Sequence, residues 1–162
     1  TERETERYQR NLLVEGFSAT GQQRLSESRV TVVGAGGLGS ATLNYLAAAG
    51  VGRLRIVEND TVSLSNLQRQ FSHNLDAPKA EVAAARLSRL NPACRIEIRT
   101  DRLDGGNADE ILSDCDVVVD CTDNYATRYA IDDFCSARRI PMVYGTAEQI
   151  GGQVSVFNTA GA

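Results

Sequence analysis

The 162-residue sequence is long enough for one domain with a real core and too short for two full ones. At 42% hydrophobic and 23% charged residues it has the balance of a globular chain, not a disordered one. Lys plus Arg number 17 against 21 Asp plus Glu, a net charge of −4 that excludes a general attraction for nucleic acid or anionic membrane, so a phosphate-bearing ligand has to be held locally. No apolar run approaches the roughly 18 residues of a membrane span and no leader-like stretch opens the sequence. A cytoplasmic location is therefore expected.

In chain order, residues 4–14 carry apolar positions at helical spacing, and a short second helix is predicted over Thr20–Leu25. Arg29–Val33 (RVTVV) is continuous and β-branched, as buried parallel strands are. A glycine turn, an Ala/Leu-rich helix and Gly50 as its C-cap come next, then a strand at Leu54–Val57. Pro78–Leu90 reads as a helix, Cys94–Arg99 as a strand, the region near Ala108–Leu112 as a helix and Asp116–Asp120 as a strand. Thr127–Arg138 reads as a helix, followed by strands at Pro141–Tyr144 and Gly152–Phe157. This alternation predicts an α/β, Rossmann-like fold: a mainly parallel sheet with helices on both faces, preceded by a short N-terminal helical segment. Ligands of such sheets bind at the carboxyl ends of the strands.

Gly34, Gly36 and Gly39 form G-x-G-x-x-G between a strand and a helix. The first glycine permits the tight turn, the second a close backbone approach to phosphate, the third close helix–strand packing, and the helix N-terminus attracts the anion. Glu58 ends the second strand, where a carboxylate can accept both hydroxyls of a ribose. These features point to a nucleotide and do not separate NAD from ATP.

Arg69 and Lys79 follow the acid. A dinucleotide needs no cation pair here, whereas a triphosphate does, to neutralise its β- and γ-phosphates and a departing pyrophosphate. Lys79 stands in the first turn of a helix, where the dipole disfavours a cation, which is easier to understand if an anion lies nearby. In the run Asp120-Cys121-Thr122-Asp123-Asn124, Asp123 meets the ligand crevice. It could cap the next helix or hold the magnesium that accompanies ATP. Asp120 is the closer fit to a buried structural acid.

GAGGLG, Glu58, DTVSLSNLQRQ, Lys79 and DCTDN, with RYQRN at Arg7–Asn11 and AGVG at Ala49–Gly52, resemble over essentially the whole chain the ubiquitin-activating-enzyme-like adenylyltransferases of the MoeB/ThiF/HesA family. The resemblance implies ATP-dependent adenylation of the C-terminal glycine of a ubiquitin-like sulfur carrier, MoaD-like or ThiS-like and ending in Gly-Gly, with release of pyrophosphate. By it, Gly34, Gly36, Gly37, Gly39, Glu58, Asn66, Arg69, Gln70 and Lys79 would bind the nucleotide. Arg10, Arg69, Lys79 and Asp123 would be catalytic, Asp123 with magnesium, and Arg10 would reach into the site of a partner in a homodimer. Residues 1–28 would form the dimer-contacting helical segment, and 29–162 an adenylation domain that stops before the zinc- and carrier-binding region of relatives.

The sequence departs from that pattern in two places. Glu58 stands where many relatives have Asp, and the stretch from Arg69 to Lys79 is a few residues shorter. Cys94, Cys115, Cys121 and Cys135 have no paired spacing, so this chain is expected to hold no zinc and to carry buried free thiols. Three alternatives stay open: an NAD-dependent oxidoreductase, a non-catalytic partner subunit of an activating enzyme, and the same adenylation directed at a peptide or a modified tRNA base.

Overall fold

The computed structural model describes residues 2–70 and 74–159. The outermost ends of the two expected segments (1 and 160–162), and the middle of the Arg69–Lys79 connection, lie outside the described residues. The elements in order are α1 (Glu2–Leu12), α2 (Ala19–Glu27), β1 (Arg29–Val33), α3 (Gly37–Ala49), β2 (Arg53–Val57), a 3-10 turn (Leu64–Asn66), α4 (Lys79–Leu90), β3 (Arg95–Arg99), α5 (Ala108–Leu112), β4 (Val117–Asp120), α6 (Tyr125–Arg138), β5 (Met142–Glu148) and β6 (Gly151–Phe157). The sheet runs β3-β2-β1-β4-β5-β6. Its first five strands are parallel, and β6 returns antiparallel to β5.

Strand parity explains why helices cover both faces. Val30 and Val32 of β1, with Leu54 and Ile56 of β2, pack against Leu43 and Ala47 of α3 and Leu87 of α4. The alternate residues Val33, Val57 and Val118 pack on the other side against Ile111 and Leu112 of α5 and Ile131 and Phe134 of α6. Because side chains alternate along a strand, one run of apolar residues feeds two separate cores.

Several boundaries differ from those read off the sequence. β5 extends to Glu148, beyond Tyr144, because an antiparallel partner continues the ladder past the parallel sheet. α6 begins at Tyr125 and not Thr127, since Asn124 accepts a hydrogen bond from the Thr127 N–H (3.0 Å) and caps it. Pro78 is the N-cap of α4 and not its first residue.

The N-terminal helices pack on the edge of this layer where the strands begin. Buried Asn91, at the end of α4, donates to the Tyr8 hydroxyl (2.9 Å) and to the Ala47 carbonyl (2.8 Å). Gly50 caps α3 with φ 99°. A Cβ there would come within 2.8 Å of the Tyr8 ring, so glycine serves both the left-handed turn and the contact with α1. Among the described residues, no helix is long and apolar enough to cross a membrane.

Candidate functional site

The loops after the strands surround a cleft of about 1130 Å³ at the carboxyl end of the sheet. Ligand pockets usually span roughly 300–1,000 Å³, so this one has room for a nucleotide and a second reactant. It collects nearly every residue singled out above: Gly34, Gly36, Gly37, Glu58, Asn66, Arg69, Gln70, Lys79 and Asp123. Gly39 lies beneath it, fully packed. Arg10 does not line it.

The glycine loop is shaped by close backbone contacts. Gly34 has φ 94°, and a Cβ on it would lie 2.8 Å from the Cys121 carbonyl oxygen. α3 starts at Gly37 behind an N-cap glycine with no side-chain cap, which leaves its first N–H groups available to an anion. Added Cβ atoms at Gly36 and Gly37 would point at Gln70 (3.7 Å) and Arg69 (3.4 Å), so the missing side chains are what opens the cradle.

Glu58 has a structural task besides any ligand. Its Oε2 accepts the Ala35 N–H of the glycine loop (2.8 Å) and its Oε1 accepts the Asp60 N–H (3.0 Å). The longer arm bridges the loop after β1 to the loop after β2. Each oxygen keeps a lone-pair site for a hydroxyl donor.

The two cations are held differently. Lys79 is buried at 7% exposure, and its ammonium pairs with Asp60 Oδ2 at 3.0 Å. The anion expected near this helix-start lysine is thus present in the protein itself, and Asp60 had no assigned part in the sequence reading. Arg69 is exposed and donates to the Ser65 carbonyl (3.2 Å) and to Gln68 Oε1 (3.1 Å). Asn66 Oδ1 accepts the Ser63 N–H at 3.2 Å, closing the 3-10 turn that carries this segment across the cleft. Gln70 is buried at 6% exposure, yet its Oε1 has no hydrogen-bond partner among the described residues. A buried orphan acceptor beside a glycine cradle fits a ligand that brings a donor.

Asp123 is exposed in the cleft and makes no hydrogen bond or ion pair among the described residues. Asn124 and not Asp123 caps α6, so the capping alternative for Asp123 is removed. Among the described residues, no group of three or more His, Cys, Asp or Glu stands ready for a metal. A magnesium ion would rely on Asp123 and on phosphate oxygens, which is the donor set magnesium accepts. Arg128, Thr122 and Tyr125 also line the site and were missed. The available signal was Arg128, a cation in the first turn of a helix, the same anomaly that marked Lys79.

The cysteines are free; Cys94, Cys115 and Cys135 are buried and Cys121 half-buried. Burial pushes the Cys94 and Cys121 thiols up to about 11 and Cys135 up to about 12, and it raises Cys115 as well. Near neutral pH all four are protonated and poor nucleophiles.

A family model described as ThiF family matches residues 8–162. The chain belongs to the ThiF family. This ThiF-family chain is 46% identical over 161 residues to the sulfur carrier protein adenylyltransferase of Thermus thermophilus, covering 98% of itself and 59% of that protein. It is 43% identical over 160 residues to the molybdopterin-synthase adenylyltransferase of Escherichia coli, covering 97% of itself and 64% of that protein. It therefore spans about three fifths of the length of these relatives. Among solved structures it superposes, with a TM-score of 0.87 and 29% identity, on the Escherichia coli tRNA N6-threonylcarbamoyladenosine dehydratase in complex with ATP, covering 93% of this chain and 64% of that one. The Rossmann-like architecture and the family expected from the motifs are both borne out.

Proposed function

We propose that this ThiF-family domain adenylates the C-terminal carboxylate of a ubiquitin-like sulfur-carrier protein, using Mg-ATP and releasing pyrophosphate. The observation that carries this reading is the convergence of an uncapped glycine-loop helix, Glu58, Arg69 and Lys79 around one cleft. That set suits a triphosphate. Lys79 already has Asp60 as its partner, whereas exposed Arg69 bonds only neutral acceptors and keeps its charge for a ligand phosphate.

In the proposed reaction a carboxylate oxygen of the carrier attacks the α-phosphorus, the bond to the bridging oxygen breaks, and pyrophosphate leaves. Glu58 would orient the ribose; the loop N–H groups, Asn66 and Gln70 would hold the nucleotide; Arg69 and Lys79 would balance charge on the leaving group. Asp123 would hold magnesium, which supplies positive charge to the phosphates. No covalent nucleophile is needed, consistent with the raised thiols. The sulfur-carrier reading is preferred to tRNA modification because the adenylyltransferase relatives share 43–46% identity and the tRNA dehydratase 29%.

We further propose that Arg10 acts on the cleft of a second copy. α1 packs on Gly50 and Leu90, at the ends of α3 and α4 remote from the cleft. The 13 residues of α3 span roughly 20 Å at ~1.5 Å per residue, so α1 lies a domain's depth from its own site. A two-fold dimer would bring it to the neighbour's. Mixing Arg10→Ala with Asp123→Asn chains should then regenerate about a quarter of normal activity, since about half the dimers are mixed and each has one intact site. No recovery on mixing would remove Arg10 from the site.

The nucleotide is tested by thermal shift. Mg-ATP should raise the melting temperature, each tenfold excess over the dissociation constant adding roughly 1.4 kcal/mol, and NAD should not. ATP–pyrophosphate exchange dependent on a carrier ending in Gly-Gly tests the reaction. A shift with NAD and none with Mg-ATP would replace this reading by the oxidoreductase one. ATP binding without exchange, in the full-length protein, would favour the non-catalytic partner.

A further inference from the structure

Arg128 has no part in the reaction as proposed, yet the fold commits several groups to it. It sits in the first turn of α6, where the helix dipole opposes a cation, with its side chain only 14% exposed. Its Nη1 donates to the Tyr144 hydroxyl on β5 at 2.8 Å, and its Nη2 donates to the Thr122 carbonyl. The guanidinium carbon lies 4.8 Å from the Tyr144 ring centroid and 5.8 Å from that of Tyr125. Its Nε faces Asp120 Oδ2 across 3.9 Å. Both of these atoms are buried, and neither has a hydrogen-bond partner among the described residues.

Asp120 is fully buried at the end of β4. Its Oδ1 accepts both the Thr122 N–H (2.9 Å) and the Thr122 hydroxyl (2.7 Å). Thr122 is thus held at every polar group: N–H and O–H by the carboxylate, carbonyl by the guanidinium. The next peptide unit carries Asp123, which has no anchor of its own. Its place in the cleft is set by the residue before it.

We infer that Arg128 is a positioning residue for Asp123, closing a clamp of Asp120, Thr122 and Tyr144 that fixes the peptide from which Asp123 meets the magnesium nucleotide. This rests on the adenylation reading for its consequence, though not for its geometry. The planar fork of arginine reaches Thr122, Tyr144 and Asp120 together; a lysine keeps the charge and cannot.

The test compares Arg128→Lys and Tyr144→Phe with the parent, in Asp123 and Asp123→Asn backgrounds. Arg128→Lys should lower kcat for pyrophosphate exchange by about 10–100-fold, the range for groups that orient a metal-binding residue, with the KM for ATP nearly unchanged. Added to Asp123→Asn it should cost little more, because the two act as a unit. Amide hydrogen exchange in a peptide spanning Asp120–Tyr125 should accelerate in both variants. Equal losses in the two backgrounds, or parental kcat in Arg128→Lys, would overturn the inference. If Arg128→Lys does not fold, Tyr144→Phe decides: parental protection of the Thr122 amide overturns the clamp. If the parent itself shows no pyrophosphate exchange, the adenylation reading fails, while the amide-exchange measurement still judges the clamp.

Discussion

Replacing Asp123 by Asn should lower pyrophosphate exchange by about 10²–10³ while leaving the fold intact. The expectation combines two facts about one side chain. Asp123 is exposed in the cleft with no hydrogen bond or ion pair among the described residues, so its folded environment loses nothing when the charge goes. Surface changes of that kind stay within about ±0.5 kcal/mol. The helix cap that an Asp at this junction would ordinarily supply comes from Asn124 instead. On the proposed adenylation reading, an exposed charge in the cleft with no structural use has its value in the reaction. Urea denaturation and exchange rates measured on the same preparation check both halves. Parental exchange in the Asn variant would reduce Asp123 to a bystander; a large loss of stability would mean an undetected structural role.

The largest effect on stability is expected from Gly39→Ala. A Cβ there would lie 1.8 Å from the Gly34 carbonyl oxygen and 3.5 Å from Cys121 Cβ. The first obstacle is backbone, the carbonyl of a turn glycine with φ 94°, so no side-chain rotation relieves the contact. Relief requires lifting α3 off β1, which opens the core around Leu43 and Ala47. A cost of about 4 kcal/mol or more follows, out of a total stability of roughly 5–15 kcal/mol. Gly105→Ala is the matched control, because nothing lies within 4 Å of its added Cβ. It should stay within about 0.5 kcal/mol of the parent. Urea midpoints for the pair decide it: similar midpoints would show that helix and strand separate more easily than the contact distances imply.

How much was legible in the sequence depended on whether the deciding interaction was local. β1 was read to the residue, because a buried parallel strand is a continuous β-branched run bounded by a charged residue and a glycine. The glycine loop, Glu58 and the Arg69–Lys79 pair were legible because strand, turn and helix put them at one end of the sheet whatever the details. The end of β5 was not, since Gly145-Thr146-Ala147-Glu148 carries no strand pattern of its own and is extended by its partner β6. The start of α6 was misjudged for a different reason: Asp123 and Asn124 are both good caps, and only coordinates show which one turns back. Asp60 and Arg128 escaped notice because their partners are distant in sequence or undistinguished in type. Asp60 meets Lys79 19 positions on, and Arg128 meets Tyr144 16 positions on.

The alternation along β4 bears on how the sheet finds its alignment. Val117 and Val119 face the α3 side, and Val118 faces α6. All three are valines, so hydrophobicity alone cannot distinguish the correct pairing with β1 from one shifted by a single residue. Asp120 can. In the observed alignment its carboxylate falls on the α6 side, beside Arg128 and Thr122. Shifted by one, it would turn toward α3, where Cys121 now meets Thr42, and a charge would be buried with no cation to answer it. The acid at the end of an otherwise featureless strand therefore works as a key, admitting one alignment of three identical side chains and penalising its neighbour.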